Sequence, residues 1–427
     1  MWGGAIATVG GGKLLVEGCN ISFNTALGNN PNPNQNYPTF GGGGGIYQEW
    51  SDSLEIYDSE ITNNTAATGA GGGIAVYLSD DVTINNIILS DNFVESIENF
   101  SKKSPSKCML ITQKVIYQSF EQEFAILESL PNVEIHFIDQ GEEAKSIETA
   151  IDICDKMAIM QYDRSSTIFA VGGGVVGDVA GFVASIFMRG ISYVQYPTTL
   201  LAMIDSSIGG KTGVNLKSGK NLIGRIHQPK SVIIDISFLS TLPKREVNAS
   251  LAEAIKYGFI YDRDLFNYIV ENMSDILSNR DSAILKKIIL RSCEIKSEVV
   301  SQDVNENDLR MILNFGHTVG HALEGHFQYK TLLHGESILY GMKSALYLSH
   351  TIGSLNDEDY RLGLKALSAF TLPSIDIKDK AEIIEFVKRD KKFKESKIRF
   401  VLIPEIGKAN ISTEITLNHI EESLEVL

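Results

Sequence analysis

The chain reads as an α/β protein: a parallel-sheet domain followed by an all-helical one, with a short repetitive β segment in front. Three observations predict this. Between about residues 94 and 244, apolar runs of strand length alternate with helix-length segments, the pattern of βαβ units and a parallel sheet. After Leu242-Pro243 the apolar residues fall at three-and-four spacing in one segment after another, which is helical periodicity. Residues 1–93 differ from both, holding 16 of the 37 glycines, nine acids, one lysine and no arginine. The expected division is therefore 1–93, 94–244 and 245–427.

With 427 residues the chain can build two or three cores. Its 38 basic and 53 acidic side chains leave a net charge of −15, which argues against nucleic acid as a partner. No apolar run approaches the roughly 18 residues of a membrane span. Met1-Trp-Gly-Gly offers no basic start for a signal peptide, so a cytoplasmic location without membrane partners is expected. Cys19, Cys108, Cys154 and Cys293 stand far apart, so neither a disulfide framework nor a thiolate zinc site is indicated.

The first segment repeats. Ile6, Ile46 and Ile74 each follow a glycine-rich stretch; eight positions later stand Leu14, Leu54 and Val82, and seven further on Ile21, Ile61 and Leu89. The offsets are 40 and 28, the longer one accommodating the loop from Pro31 to Pro38. Short alternating strands with an Asn closing each turn resemble coils of a right-handed parallel β-helix. Three coils make a fragment. Without a cluster of acids, His or Arg, the segment is expected to be a passive scaffold rather than a carbohydrate-binding module.

From residue 94 onward the pattern predicts a helix over 94–100, a strand over 107–111, a helix over 119–130 and a strand over 133–138. The apolar run Thr167-Ile-Phe-Ala-Val171 then leads into Gly172-Gly-Gly-Val-Val-Gly-Asp178 and a helix-compatible run to Phe187. Strand, glycines and helix in that order let backbone N–H groups at a helix start receive a pyrophosphate. The acid expected about 20 residues on in an ordinary Rossmann unit is missing. On their own, these glycines also fit a tight turn without a ligand.

The next stretch is locally cationic. Between Arg189 and Arg225 stand five basic residues, Arg189, Lys211, Lys217, Lys220 and Arg225, and one acid, Asp205. They are separated by glycines rather than run together with alternating sign, which suits loops around a phosphate or carboxylate. Gly172-Gly-Gly-Val-Val-Gly-Asp178, Pro197-Thr-Thr-Leu-Leu201, Asp205-Ser-Ser-Ile-Gly-Gly-Lys-Thr212 and Gly219-Lys-Asn-Leu-Ile-Gly224 closely resemble the 3-dehydroquinate synthase family of sugar-phosphate cyclases. The resemblance runs from about residue 94 to the end.

That resemblance implies a Rossmann-like NAD-binding domain. Gly141-Glu-Glu-Ala-Lys-Ser146 matches the family's G-E-x-x-K-S, which implies that Glu142 takes the adenosine ribose hydroxyls. The remaining cofactor positions implied are Lys145, Gly173, Gly174, Val175, Asp178, Thr198, Thr199, Asp205, Lys211, Lys220, Phe238 and Thr241. Two departures bear on cofactor affinity. The place of the family's opening β-hairpin is taken by the third repeat, and Thr112-Gln113-Lys114 stands where the family tends to have Asn or Asp.

In the helical part, predicted over 246–260, 264–277, 282–301, 308–327, 335–352 and 381–388, four of the eight histidines fall between His317 and His334. His317 and His321 are four apart and share a helix face. Glu253 and Lys256 are one turn apart. Imidazoles with a carboxylate and no thiolate suit a catalytic Zn²⁺ with an open position. Spacing alone favours both helix histidines as ligands; the resemblance implies Glu253, His317 and His334, Zn²⁺ or Co²⁺ as the metal, and His321 as a proton carrier. It further implies that Arg189, Asp205, Lys211, Asn221, Lys256, Lys296, Arg310, Asn314 and one of Lys391 and Lys392 bind the substrate. One departure is Ser250, where the family often has Gly. Such cations suit an anionic phosphorylated sugar acid.

The activity implied is that of an NAD- and metal-dependent carbon–oxygen lyase, converting 3-deoxy-D-arabino-heptulosonate 7-phosphate to 3-dehydroquinate and phosphate for aromatic amino acid biosynthesis, in a homodimer. Alternatives are a sister cyclase making an inosose or valiolone, a metal-dependent polyol dehydrogenase, and a non-enzymatic surface protein led by the repeat.

Overall fold

The computed structural model describes residues 93–103, 106–303, 309–328, 330–377, 379–389, 393–394 and 397–427, and before them the backbone of ten short strands between residues 6 and 90. The chain divides into two compact units, Met1–Thr241 and Leu242–Leu427. No helix among the described residues is long and apolar enough to cross a membrane.

The strands before residue 87 pair in parallel with the spacing of the repeat. Ile6 lies opposite Ile46 and Ile46 opposite Ile74. Leu14 pairs with Leu54, and Ile21 with Ile61. The offsets of the sequence repeat are thus the registers of the ladder. The third repeat departs from this: Ile87–Ser90 (β1), which the spacing assigns to a coil, joins a different sheet.

That sheet is the frame of the first unit. Its further strands are Cys108–Gln113 (β2), Val133–Ile138 (β3), Thr167–Gly172 (β4) and Ser192–Pro197 (β5). After the hairpin Lys211–Leu216 (β6) and Gly219–Ile226 (β7) comes Ser231–Asp235 (β8). The order is β1-β8-β5-β4-β2-β3, every neighbour parallel. Beyond β2 the chain adds β3 on one side, then returns to lay β4 on the other. The strand order therefore reverses between β2 and β4, the topological switch point where open α/β sheets bind ligands at the strands' carboxyl ends.

Both faces of the sheet are covered, as buried parallel strands require. The helices are Phe93–Lys103 (α1), Lys114–Ser119 (α2), Glu121–Glu128 (α3), Ile147–Ile159 (α4) and Gly174–Ile186 (α5). Alternation along the strands sorts the side chains. Met109, Ile111, Ile168 and Ala170 join Ile153 of α4 and Val179 and Val183 of α5 in one core. On the opposite face Phe169 meets Phe100 edge-on at 5.2 Å, and Phe93 packs on Phe238 at 4.7 Å. The helix expected over 119–130 is α3; the short α2 in front of it was not anticipated, and the two are separated at Phe120, whose φ of −133° lies outside the helical region.

The second unit is helical apart from short hairpins. It contains Lys244–Ile260 (α6), Arg263–Asn279 (α7), Ser282–Gln302 (α8), His317–His326 (α9), His334–Thr351 (α10), Asp357–Ser368 (α11), Lys380–Arg389 (α12) and Leu417–Ser423 (α13). One long helix expected over 308–327 is two elements, a 3-10 turn Leu309–Asn314 and then α9. Gly316, at φ 76°, makes the break, in a conformation that suits glycine. The late strand expected over 397–403 runs over Phe400–Glu405 and pairs antiparallel with Lys408–Ser412 within the second unit.

Because β1 closes the β8 edge of the sheet, its removal should expose a free parallel strand. A chain beginning at Asn86 is expected to stay soluble and monodisperse, whereas one beginning at Asp91 is expected to aggregate. Size-exclusion chromatography with light scattering compares the two.

Candidate active site

The metal-type cluster is built by α6, α9 and α10. On α6, Glu253 is 1 % and Lys256 2 % exposed, and the Lys256 ammonium bonds Glu253 Oε2. The other oxygen, Oε1, is buried with no hydrogen-bond partner. It faces Nε2 of His317 at 3.5 Å and Nε2 of His334 at 3.4 Å. Each imidazole is held by its other nitrogen: His317 Nδ1 lies 3.1 Å from the Phe315 carbonyl oxygen, and His334 Nδ1 lies 3.3 Å from Glu324 Oε1. Those contacts favour the tautomer with the proton on Nδ1 and a lone pair on Nε2, aimed at the bare carboxylate oxygen. A divalent cation fits this donor set, one carboxylate and two imidazoles.

Electrostatics agree with the geometry. Burial alone would raise the Glu253 carboxyl, but the Lys256 ammonium and His334 hold it well below the usual carboxylate range. Burial would lower His334, and the adjacent carboxylates of Glu253 and Glu324 push it up instead. A cation at Nε2 therefore competes with a proton.

Close backbone approach makes the cluster possible. A Cβ on Gly335 would stand 1.8 Å from the Ala249 carbonyl oxygen of α6, and one on Gly341 1.8 Å from that of Gly316. Arg245 grips Glu336 through Nε at 2.7 Å and Nη2 at 2.8 Å, while Glu336 caps α10 by accepting from the Leu333 N–H. The hydroxyl of Ser250, where a glycine was expected, donates to the Glu246 carbonyl at 2.6 Å, so α6 runs through it unbroken.

His321 is 45 % exposed at its side chain and stays off the Glu253 oxygen; its Nε2 lies 4.0 Å from Glu324 Oε2. Glu324 thus stands between His321 and His334, and with them forms a second possible donor group. Sequence reading missed Glu324, although it lies on the His317/His321 face, seven and three residues on.

Buried cations are few. Among the described residues the buried lysines and arginines are Lys145, Lys256, Lys296 and Arg310, all of them anticipated site residues. Asn314 ends the 3-10 turn that carries Arg310. Lys391 and Lys392 lie outside the described residues.

The glycine turn of the first unit sits at the carboxyl end of β4, beside the switch point. Gly173 caps α5, whose first N–H groups lack intrahelical acceptors and whose first turn carries no acid. Val175 packs on the core, and a Cβ on Gly174 would press on Ser206 Oγ at 3.1 Å. The Thr198 N–H bonds the Gly172 carbonyl at 3.0 Å, and Thr199 Oγ1 accepts from the Ala202 N–H. Asp205 lies in the π-helical turn Ala202–Ser206. The buried Lys145 ammonium pairs with Asp178.

Glu142 Oε1 accepts from Asn215 Nδ2 at 2.7 Å. Lys211 and Lys220 sit on the β6–β7 hairpin with Asn221. Asn221 and Arg189 both take positive φ, 54° and 68°, uncommon for non-glycine residues though readily adopted by Asn. Phe238 is 1 % exposed, its ring packed on Phe93 and Phe120, and Thr241 Oγ1 donates to its carbonyl. Thr112 is fully buried with its hydroxyl unpartnered, and Gln113 Nε2 reaches the Asp139 carbonyl at 2.9 Å.

Residues 135–249 match the 3-dehydroquinate synthase N-terminal family and residues 250–393 the 3-dehydroquinate synthase C-terminal family. The chain belongs to the 3-dehydroquinate synthase family. It is 45 % identical over 312 residues to the 3-dehydroquinate synthase of Thermoanaerobacter pseudethanolicus, covering 72 % of this chain and 87 % of that one. Among solved structures it resembles the 2-epi-5-epi-valiolone synthase of Streptomyces hygroscopicus subsp. jinggangensis with NAD⁺ and Zn²⁺ bound, at TM-score 0.74 and 26 % identity over 82 % of this chain and 98 % of that one. A 2-deoxy-scyllo-inosose synthase complexed with carbaglucose-6-phosphate, NAD⁺ and Co²⁺ is similar at TM-score 0.71 and 28 % identity, covering 79 % and 96 %.

If Glu324 orients His334, Glu324→Ala should weaken Zn²⁺ or Co²⁺ binding about 10- to 100-fold, while Glu324→Gln, which keeps an acceptor, should lose less. Competition against a chromophoric chelator measures both affinities.

Proposed function

We propose that the chain is a working 3-dehydroquinate synthase, releasing phosphate from 3-deoxy-D-arabino-heptulosonate 7-phosphate and closing the carbocycle. What carries this reading is one combination in the second unit: the bare Glu253 oxygen facing two imidazoles, together with buried Lys256, Lys296 and Arg310. Three cationic side chains buried in the same unit as the donor cluster suit a phosphorylated sugar acid, which carries two anionic groups, better than the neutral substrate of a polyol dehydrogenase.

When bound, NAD⁺ supplies a temporary hydride acceptor and Zn²⁺ or Co²⁺ polarises a hydroxyl pair. In this reading Glu253, His317 and His334 hold the metal. Glu142 takes the adenosine ribose, and the N-terminus of α5 with Gly173, Gly174 and Val175 takes the pyrophosphate. Lys145, Asp178, Thr198, Thr199, Lys220, Phe238 and Thr241 complete the nucleotide's surroundings. Arg189, Asp205, Lys211, Asn221, Lys296, Arg310, Asn314 and one of Lys391 and Lys392 orient the substrate through its carboxylate, hydroxyls and phosphate. Lys256, bonded to Glu253, and the exposed His321 move protons, while the departing phosphate can accept its own. A cytoplasmic location, a homodimer, and a β-helix-like fragment before an NAD domain over 94–244 and a metal domain over 245–427 belong to the same reading.

A cyclase returns its hydride in each cycle. Inorganic phosphate should therefore rise in step with product while nicotinamide absorbance stays flat; stoichiometric NADH without phosphate would instead assign a dehydrogenase. Arg310→Ala should cost on the order of 10²-fold in kcat/KM, the loss of one charge-assisted contact. His317→Ala should lose the metal and His321→Ala should keep it while losing turnover, as elemental analysis beside rate measurements will show.

A further inference from the structure

One side chain in the first unit joins two groups to which the proposed function gives separate tasks. Asn215 stands where the β6–β7 hairpin departs from regular pairing, between Val214 and Leu216. The irregularity lets its backbone bridge in parallel to Ser146, with its N–H donating to the Lys145 carbonyl at 2.9 Å. Its side chain then works both ways. Nδ2 donates to Glu142 Oε1 at 2.7 Å, and Oδ1 accepts from the Asn221 N–H at 2.9 Å. Only one amide orientation satisfies a carboxylate on one side and an N–H on the other, so the assignment is unambiguous.

Asn221 needs this hold. It is exposed, its φ is 54°, and its side chain makes no hydrogen bond among the described residues. The amide of Asn215 therefore anchors the backbone of a residue whose own side chain is available to a ligand. Glu142 is in a similar position: Oε1 is taken by Asn215, and Oε2 has no hydrogen bond among the described residues.

We infer that Asn215 is a positioning residue that fastens the nucleotide-binding turn to the substrate-binding hairpin, so that NAD⁺ and the phosphorylated sugar acid bind with positive coupling. This rests on the roles proposed above for Glu142 and Asn221. A ribose drawn to Glu142 fixes the carboxylate, the carboxylate fixes the amide, and the amide holds Asn221 in its left-handed conformation. By linkage, substrate on Asn221 tightens NAD⁺ by the same factor.

The test is isothermal titration of the full-length, metal-loaded protein with NAD⁺, with and without a non-hydrolysable phosphonate analogue of the heptulosonate phosphate. The native chain should bind NAD⁺ on the order of tenfold more tightly with the analogue present. In Asn215→Ala this ratio should fall to near one, with kcat reduced less than the KM for substrate is raised. Asn215→Asp keeps the acceptor for Asn221 but sets a carboxylate against Glu142. It should retain analogue affinity, lose NAD⁺ affinity and lose the coupling, and it decides the matter where the alanine variant does not fold. A native ratio near one, or an unchanged ratio in the Asn215 variants, overturns the inference. Glu142→Gln and Asn221→Ala separate the premises: if neither weakens its own ligand, the assigned roles fail, whereas if both do and the ratio survives loss of Asn215, only the coupling fails.

Discussion

The second unit depends on how closely three helices can lie. Where α10 crosses α6 and α9 there is no room for a side chain: a Cβ at Gly335 would sit 1.8 Å from a backbone oxygen of α6, and one at Gly341 1.8 Å from the backbone oxygen that precedes α9. At that separation His334, on the first residue of α10, and His317, on the first of α9, can both face a carboxylate in the middle of α6. Overpacking would push the helices apart, and a displacement of an ångström is enough to spoil a donor set. The Arg245–Glu336 pair secures the same junction from outside, holding the start of α10 onto the start of α6.

Within that junction charges are arranged so that one oxygen is left over. Lys256 occupies Oε2 of Glu253, Phe315 and Glu324 occupy Nδ1 of the two histidines, and the remainder is Oε1 with two Nε2 atoms around it. An apolar core would not tolerate a bare carboxylate oxygen without a partner. The arrangement has its own completion built in, a cation, and this is why the fit does not depend on ligand spacing along the chain.

The first unit answers a different demand. Its parallel sheet reverses order between β2 and β4, which opens a crevice at the carboxyl ends, and the glycine turn delivers a helix N-terminus there. Phe238 packs its ring on those of Phe93 and Phe120, at 4.7 and 4.8 Å. Phe238, anticipated as a cofactor residue, is buried with its ring in that packing and its carbonyl bonded by Thr241.

Much was legible in the residues alone, because much of it is local. Period-two and three-and-four patterning, the glycine turn, the histidine pair and the repeat offsets are all properties of short windows. The strands Cys108–Gln113, Val133–Ile138 and Thr167–Gly172, most helices and the offsets of the repeat came from them, while Ser192–Pro197, Ser231–Asp235 and the hairpin between them did not. Resemblance added the candidate site residues, and every lysine and arginine buried among the described residues is one of those candidates. The features that only the tertiary structure decided involve contacts between distant segments. Ile87–Ser90 reads as a coil by spacing but pairs with Ser231–Asp235, because an open sheet edge needs a partner more than a repeat needs a third turn. Gly316 breaks a helix that periodicity runs straight through, since a left-handed residue is invisible to patterning. Glu324 beside His334, and Asn215 between Glu142 and Asn221, are positioned by packing and by a strand irregularity, and no window of sequence holds the partners that give them their tasks.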